Sequence, residues 1–182
     1  MFFLNYQMDF TVEVCENFFD YSRDLNRSNG IVSRLYKIML QEKRLHPEIF
    51  EGIERRLSRA SSTCLKAEEF IQLIKTGFRN LVVPFNAHEE SVYVALMFYM
   101  SEVIFDQARL YISGIALEEI KTVIINLMVK KSKEEFGFDT RAKWYKFTSG
   151  VEEKKNGHSV EDNFDYTAFL FGIGLTYLMT KV

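Results

Sequence analysis

The feature that most constrains this 182-residue chain is a run of nine consecutive apolar or aromatic residues, 92–100, inside a longer stretch (89–113) that contains no glycine or proline. A helix that is apolar on every side belongs in a protein core or in a membrane. Nine residues are too few for a bilayer, which requires about 20. We therefore predict a helix over residues 89–113 whose first half is buried around most of its circumference. It would span roughly 37 Å.

The ends of this predicted helix carry recognisable signals. Asn86 is a suitable N-cap, and Glu89 lies three residues further on, as in a capping box. Gly114 suits the left-handed position that commonly follows the last turn of a helix.

Composition and periodicity extend the prediction to the whole chain. The sequence has two prolines and nine glycines, too few for a turn-rich β fold. Apolar residues recur at intervals of three and four, as in amphipathic helices. We predict an all-α, single-domain bundle (1–182) of about seven or eight helices around the helix 89–113. The first of the other predicted helices has Asp9 or Thr11 as its cap and runs to about residue 25. The remaining predicted helices are 31–43, 47–60, 64–82, 116–136, 141–149 and 166–182.

Two segments have distinct expectations. Residues 151–163 form the only long polar stretch, and we predict a mobile polar loop there. Residues 166–182 are largely apolar but short for a membrane span, so we expect a buried last helix, with a tail anchor as the alternative. Cys15 and Cys64 lie in no motif, which favours two free thiols in a reducing compartment and a cytoplasmic location.

The sequence carries no recognisable catalytic, metal-binding or cofactor-binding motif. His46, His88 and His158 are isolated from one another, and no Glu-x-x-His pair is present. No Gly-x-Ser-x-Gly motif and no glycine-rich phosphate loop occur. We therefore favour a protein that is not an enzyme, although residues distant in sequence can still meet in space. The net charge of −2 gives no reason to expect nucleic acid as a partner.

A polar strip on the predicted central helix is the best candidate site. Glu102, Asp106 and Arg109 are spaced i, i+4 and i+7, so they share one face. A strip that faced a cavity or a partner would be a binding site, because carboxylates in such places are often functional. A strip that faced water would simply be the solvated side of the helix, and we favour this second interpretation.

Two features of the sequence suggest a resemblance to a known family: Ser91 and Val92 with the apolar residues that follow them, and the apolar segment 166–182. In these features the architecture resembles the viral Bcl-2-like bundle. The family's Asn-Trp-Gly-Arg motif is absent, and the only tryptophan is Trp144. The effector-binding domains of helical repressors are similar in the same architectural sense, but their basic DNA-reading helix-turn-helix is missing here.

We weigh three functions. The first is a non-enzymatic protein–protein interaction module (adaptor, inhibitor, immunity-type or self-associating), with helices 47–60 and 64–82 as walls of a groove for a partner helix. The second is a bundle that binds a small hydrophobic ligand, with Glu102 or Arg109 as its polar contact. Its aromatic lining would come from Phe98, Tyr99, Phe105, Tyr111, Trp144, Tyr145 and Phe147. The third is the helix-binding function that the Bcl-2-like resemblance implies.

Overall fold

The computed structural model describes residues 9–21, 30–81 and 90–153. Within these ranges the chain forms seven α-helices and no strand, which confirms the predicted all-α bundle. The helices are α1 (Phe10–Tyr21), α2 (Gly30–Leu45), α3 (Pro47–Ser61), α4 (Ala67–Asn80), α5 (Glu90–Tyr111), α6 (Gly114–Glu134) and α7 (Arg141–Glu153).

Helix α5 is the centre of the bundle, as predicted. Every side chain from Val92 to Ser101 is buried, so the first half of α5 has no solvated side. Helices α2, α3, α4 and α6 all pack against it. Helix α1 adds two aromatic contacts, because the rings of Phe18 and Phe98 lie 4.6 Å apart and those of Phe19 and Phe105 lie 5.3 Å apart.

The covering helices are amphipathic. Helix α3 begins at Pro47, where the missing N–H costs nothing, and it buries Ile49, Ile53 and Leu57 along one stripe. Helix α4 lies close to α5 at Gly77, where an added Cβ would lie 2.8 Å from the Met100 sulfur. A side chain at position 77 would require Met100 to move, so the glycine that weakens α4 as an isolated helix leaves room for Met100.

Side-chain hydrogen bonds cap the starts of two helices, α1 and α7. Asp9 caps α1, because its Oδ1 accepts a hydrogen bond from the Thr11 N–H at 2.9 Å. The Lys133 ammonium also contacts Asp9 and, as the main cause, lowers the pKa of that carboxyl. Thr140 caps α7, since its Oγ1 accepts a hydrogen bond from the Lys143 N–H at 3.3 Å.

The observed helix ends differ from the prediction at several places. Helix α5 runs from Glu90 to Tyr111, and the predicted cap at Asn86 lies outside the described residues. Gly114 has the expected positive φ of 67°, but it also begins α6. Helix α7 continues through Gly150 to residue 153, so the first three residues of the predicted loop 151–163 are helical.

Helix α7, which is longer than predicted, is in contact with α2. Helix α7 packs along α2, and Arg34 Nη1 donates a hydrogen bond to Ser149 Oγ at 3.2 Å, so the last turns of α7 rest on α2. Residues 154–163 and the segment 166–182 lie outside the described part of the chain. Of the helices that the structure describes, none combines the length and the hydrophobicity needed to cross a bilayer.

A buried hydrogen-bond chain joins the two ends of the described structure. Thr11 is fully buried, and its hydroxyl donates to the Phe138 carbonyl at 2.6 Å. The same oxygen accepts a hydrogen bond from Trp144 Nε1 at 3.1 Å. One hydroxyl on α1 therefore satisfies a buried indole and a buried carbonyl, groups that would be costly to leave without partners.

We expect Thr11→Val to lower the free energy of unfolding by about 2–4 kcal/mol, because it leaves both the Trp144 indole and the Phe138 carbonyl without their partner. Thr148→Val is the matched control. Thr148 is equally buried, but its hydroxyl donates to the Trp144 carbonyl at 2.9 Å within α7, and that carbonyl keeps its helical hydrogen bond. The control should lose less than about 1 kcal/mol in urea unfolding. Equal losses would contradict the role assigned to Thr11.

Candidate functional site

The three residues of the predicted polar strip lie on one face of α5 but in different environments. Asp106 and Arg109 are exposed, and Arg109 Nη1 lies 3.5 Å from Asp106 Oδ1. Glu102, one turn earlier, is only half-exposed. The interpretation as a solvated face therefore fits the outer two residues, whereas Glu102 turns toward the body of the protein.

Glu102 carries a carboxylate oxygen with no partner. Its Oε2 atom is buried and accepts no hydrogen bond. Burial raises the pKa of the Glu102 carboxyl, and the negative charge of Asp106 raises it further. The Lys43 ammonium acts in the opposite direction but does not cancel these effects. An unpaired, partly buried carboxylate is unfavourable for folding, so this group does not stabilise the bundle in its ionised form.

Next to Glu102 lies a phenol, Tyr99, that is held from three sides. Its hydroxyl donates a hydrogen bond to Glu54 Oε2 at 2.6 Å, and its ring lies 5.1 Å from the ring of Phe50. The Lys43 ammonium sits 4.8 Å from the centre of the Tyr99 ring, within cation–π range. Burial and then the Glu54 hydrogen bond raise the pKa of Tyr99. This phenol therefore stays protonated and acts as a hydrogen-bond donor that ties α5 to α3.

The polar strip ends in an exposed group of apolar side chains that the sequence analysis did not single out. Leu110, Tyr111 and Ile115 are 69%, 57% and 90% exposed, and they surround the turn between α5 and α6. We call these three residues the apolar tip. Leu110 lies one turn after Asp106, so this residue of the tip continues the face that carries Asp106 and Arg109.

Most of the aromatic residues proposed as a ligand lining are part of the core. Phe98, Phe105 and Trp144 are buried, and Phe147 packs against the core cluster. Tyr111 and Tyr145 are exposed instead. The buried members of this set therefore belong to the core of the bundle, and the two exposed tyrosines lie on its surface.

The described residues hold no arrangement with the chemistry of a metal centre or of an activated thiol. No group of three His, Cys, Asp or Glu side chains in these ranges could hold a metal ion. Cys15 and Cys64 are both buried thiols, and burial strongly raises the pKa of the Cys15 thiol. A buried thiol with a raised pKa is a weak nucleophile, because the reactive form is the thiolate.

Comparison with known proteins gives no relative to guide the assignment, since no protein-family model, curated protein or solved structure matches the chain significantly. The site must be argued from its own geometry. The end of α5 and the start of α6, with Asp106, Arg109 and the apolar tip, combine exposure, charge and apolar area.

We expect Glu102→Gln to raise the free energy of unfolding at neutral pH by roughly 0.5–1 kcal/mol, because the substitution removes an unpaired, partly buried charge. The sign follows from the raised pKa. A carboxyl that binds its proton more tightly in the folded state loses stability as the pH rises from its usual value of 4.5 through the folded value. The advantage of the variant should therefore shrink as the pH falls below 4.5.

Glu119→Gln is the matched control for this measurement, since it removes a carboxylate from an exposed position on α6 and Glu119 is not among the charges that shift the pKa of Glu102. Its free energy of unfolding at neutral pH should stay within about 0.5 kcal/mol of the wild-type value. If the difference in the free energy of unfolding between Glu102→Gln and the wild type did not change with pH, Glu102 would be fully solvated. That result would contradict the assigned environment.

Proposed function

We propose that this protein is a non-enzymatic protein–protein interaction module, and that its first partner at the apolar tip is a second copy of the same chain. The observation that carries the proposal is the exposure of Leu110, Tyr111 and Ile115 within six consecutive residues. Single exposed apolar residues are common on protein surfaces, but a contiguous group is typical of interaction sites.

The composition of this surface supports an interface. Tyrosine and arginine are the side chains most often found at the energetic centre of protein interfaces, and here Tyr111 and Arg109 lie beside two large aliphatic residues. Three large side chains exposed to this degree form a patch on the scale of about 300–600 Å², which is the size often seen at functional surfaces. Two such patches with their polar rims would reach the lower end of the roughly 1,200–2,000 Å² that specific interfaces bury.

The charges next to the tip support pairing between identical copies. Asp106 and Arg109 are exposed, opposite in sign and one turn apart. Across a two-fold axis, Asp106 of each copy would meet Arg109 of the other, as isologous interfaces require. Glu118 and Glu119 lie on the same face of α6 as Ile115 and add negative charge to the rim. Their repulsion would keep such a dimer weak.

The other functions weighed for the sequence have less support at this surface. Helix α3 presents Glu51, Glu54, Arg55 and Arg59 outward, which makes it a charged wall for an apolar partner helix rather than an apolar one. The ligand-binding alternative at Glu102 has less support because most of its proposed aromatic lining is part of the core. The adaptor, inhibitor and Bcl-2-like possibilities stay predictions from the sequence, and they share with our proposal the class of interaction module.

We expect the wild-type chain to associate reversibly in the micromolar range, and Ile115→Glu to weaken that association by at least about ten-fold, because it places two charges in the centre of the contact. Leu65→Glu is the matched control. Leu65 is 74% exposed between α3 and α4, so it tests the loss of an exposed apolar side chain far from the tip in sequence. Sedimentation velocity over a concentration series measures both variants.

A wild-type chain that stays monomeric over the whole concentration range would contradict the self-association. Equal weakening by the two variants would show that association uses general surface hydrophobicity rather than the tip. Circular dichroism should give the same helix content for both variants, since neither side chain contributes to the core.

A charge reversal tests the pairing of Asp106 with Arg109. Asp106→Arg and Arg109→Asp alone should each weaken association, because each creates like charges across the two-fold axis. The double variant restores opposite charges and should recover most of the wild-type affinity. The same sedimentation experiment reads the outcome. A double variant as weak as the two single variants combined would show that Asp106 and Arg109 do not pair across the axis, and single variants that associate like the wild type would place both residues outside the contact.

A further inference from the structure

A cleft lies between the C-terminal halves of α4 and α6, whereas the proposed interface uses the first turns of α6. Its volume is about 290 Å³. Phe78, which is nearly buried, and Leu127, which packs against the core, form its apolar surface. Six charged side chains line the rest of the cleft: Lys75, Arg79, Lys130, Lys131, Glu134 and Glu135.

One of these cations is fixed in the wall of the cleft. Lys131 is only 7% exposed, and its ammonium donates a hydrogen bond to the Phe78 carbonyl at 3.2 Å. The same ammonium lies 2.8 Å from Glu135 Oε2. Lys131 thereby covers a carbonyl near the end of α4. Such a helix end would otherwise repel an anion, because it carries partial negative charge.

The other three cations are available to a ligand. Lys75, Arg79 and Lys130 are exposed, and none of them forms an ion pair with any residue in the described ranges 9–21, 30–81 and 90–153. Four cations against two carboxylates leave an excess of two positive charges in the cleft, although the whole chain carries a net charge of −2. The cleft is therefore a local electropositive site with an apolar floor.

We propose that this cleft binds a small organic phosphate, namely a phosphate monoester that carries one compact apolar group. The apolar group would cover Phe78 and Leu127, and the phosphate would lie between Lys75, Arg79 and Lys130. A phosphate monoester at neutral pH carries close to the two negative charges that the cleft lacks. Arginine suits phosphate because its planar guanidinium can donate two parallel hydrogen bonds. The volume is at the small end for ligand sites, which limits the apolar group to about one ring.

Phenyl phosphate is the probe that tests this proposal, with inorganic phosphate and phenol as its two halves. Each is titrated into the ¹⁵N-labelled full chain and followed by the amide chemical shifts. We expect phenyl phosphate to shift the amides of residues 75–81 and 127–135 and to bind at least about ten-fold more tightly than either half. Inorganic phosphate that bound as tightly as phenyl phosphate would show a simple anion site and overturn the proposal.

A matched pair of charge variants separates the cleft from general electrostatics. Lys75→Gln with Lys130→Gln should weaken phenyl phosphate binding by at least about ten-fold. Lys37→Gln with Lys146→Gln makes the same change in net charge at exposed positions on α2 and α7, and it should leave binding within about two-fold. Equal losses in the two double variants, or no shifts in the cleft at millimolar phenyl phosphate, would overturn the proposal.

Discussion

The bundle depends on one requirement, which is that the first half of α5 must be covered on every side. Ten consecutive side chains from Val92 to Ser101 are buried, and no single neighbour can cover a whole helix circumference. Helices α2, α3, α4 and α6 surround it, and α1 adds aromatic contacts at Phe98 and Phe105. From Glu102 onward one face of α5 carries polar and exposed side chains, although Ile104, Phe105 and Ala108 on its other face remain buried. The exposed surface at Asp106 and the apolar tip follows directly from where the covering helices stop.

Buried polar groups in the bundle are tolerated where each one has a hydrogen-bond partner. The Thr11 hydroxyl serves both the Trp144 indole and the Phe138 carbonyl, and the Lys131 ammonium serves both a carbonyl of α4 and Glu135. Glu102 is the contrasting case, because one of its buried oxygens has no hydrogen-bond partner. Buried hydrogen bonds of this kind fix the positions of α1, α6 and α7 relative to the core, because each hydrogen bond has only one favourable geometry.

The two proposed sites have different physical characters. The apolar tip is an exposed surface whose rim carries both charges but more acidic than basic side chains, which suits a protein contact. The cleft between α4 and α6 is concave and positively charged, which suits a small anion. They use opposite ends of α6, because Ile115 lies in its first turn and Leu127 and Lys130 lie in its second half. One helix therefore supports both surfaces, and each can be altered without touching the other.

The sequence by itself determined the helices and the core. The apolar run 92–100, the stripe of Ile49, Ile53 and Leu57, and the positive φ at Gly114 were all predictable, because periodicity and backbone sterics are local properties. Only the tertiary structure decided which side chains remain exposed or unpaired. The strip at Glu102, Asp106 and Arg109 was predictable as one face of α5, but its division into a half-buried and a solvated part was not. The tip and the cleft were invisible for the same reason, since exposure and cation spacing depend on neighbours distant in sequence.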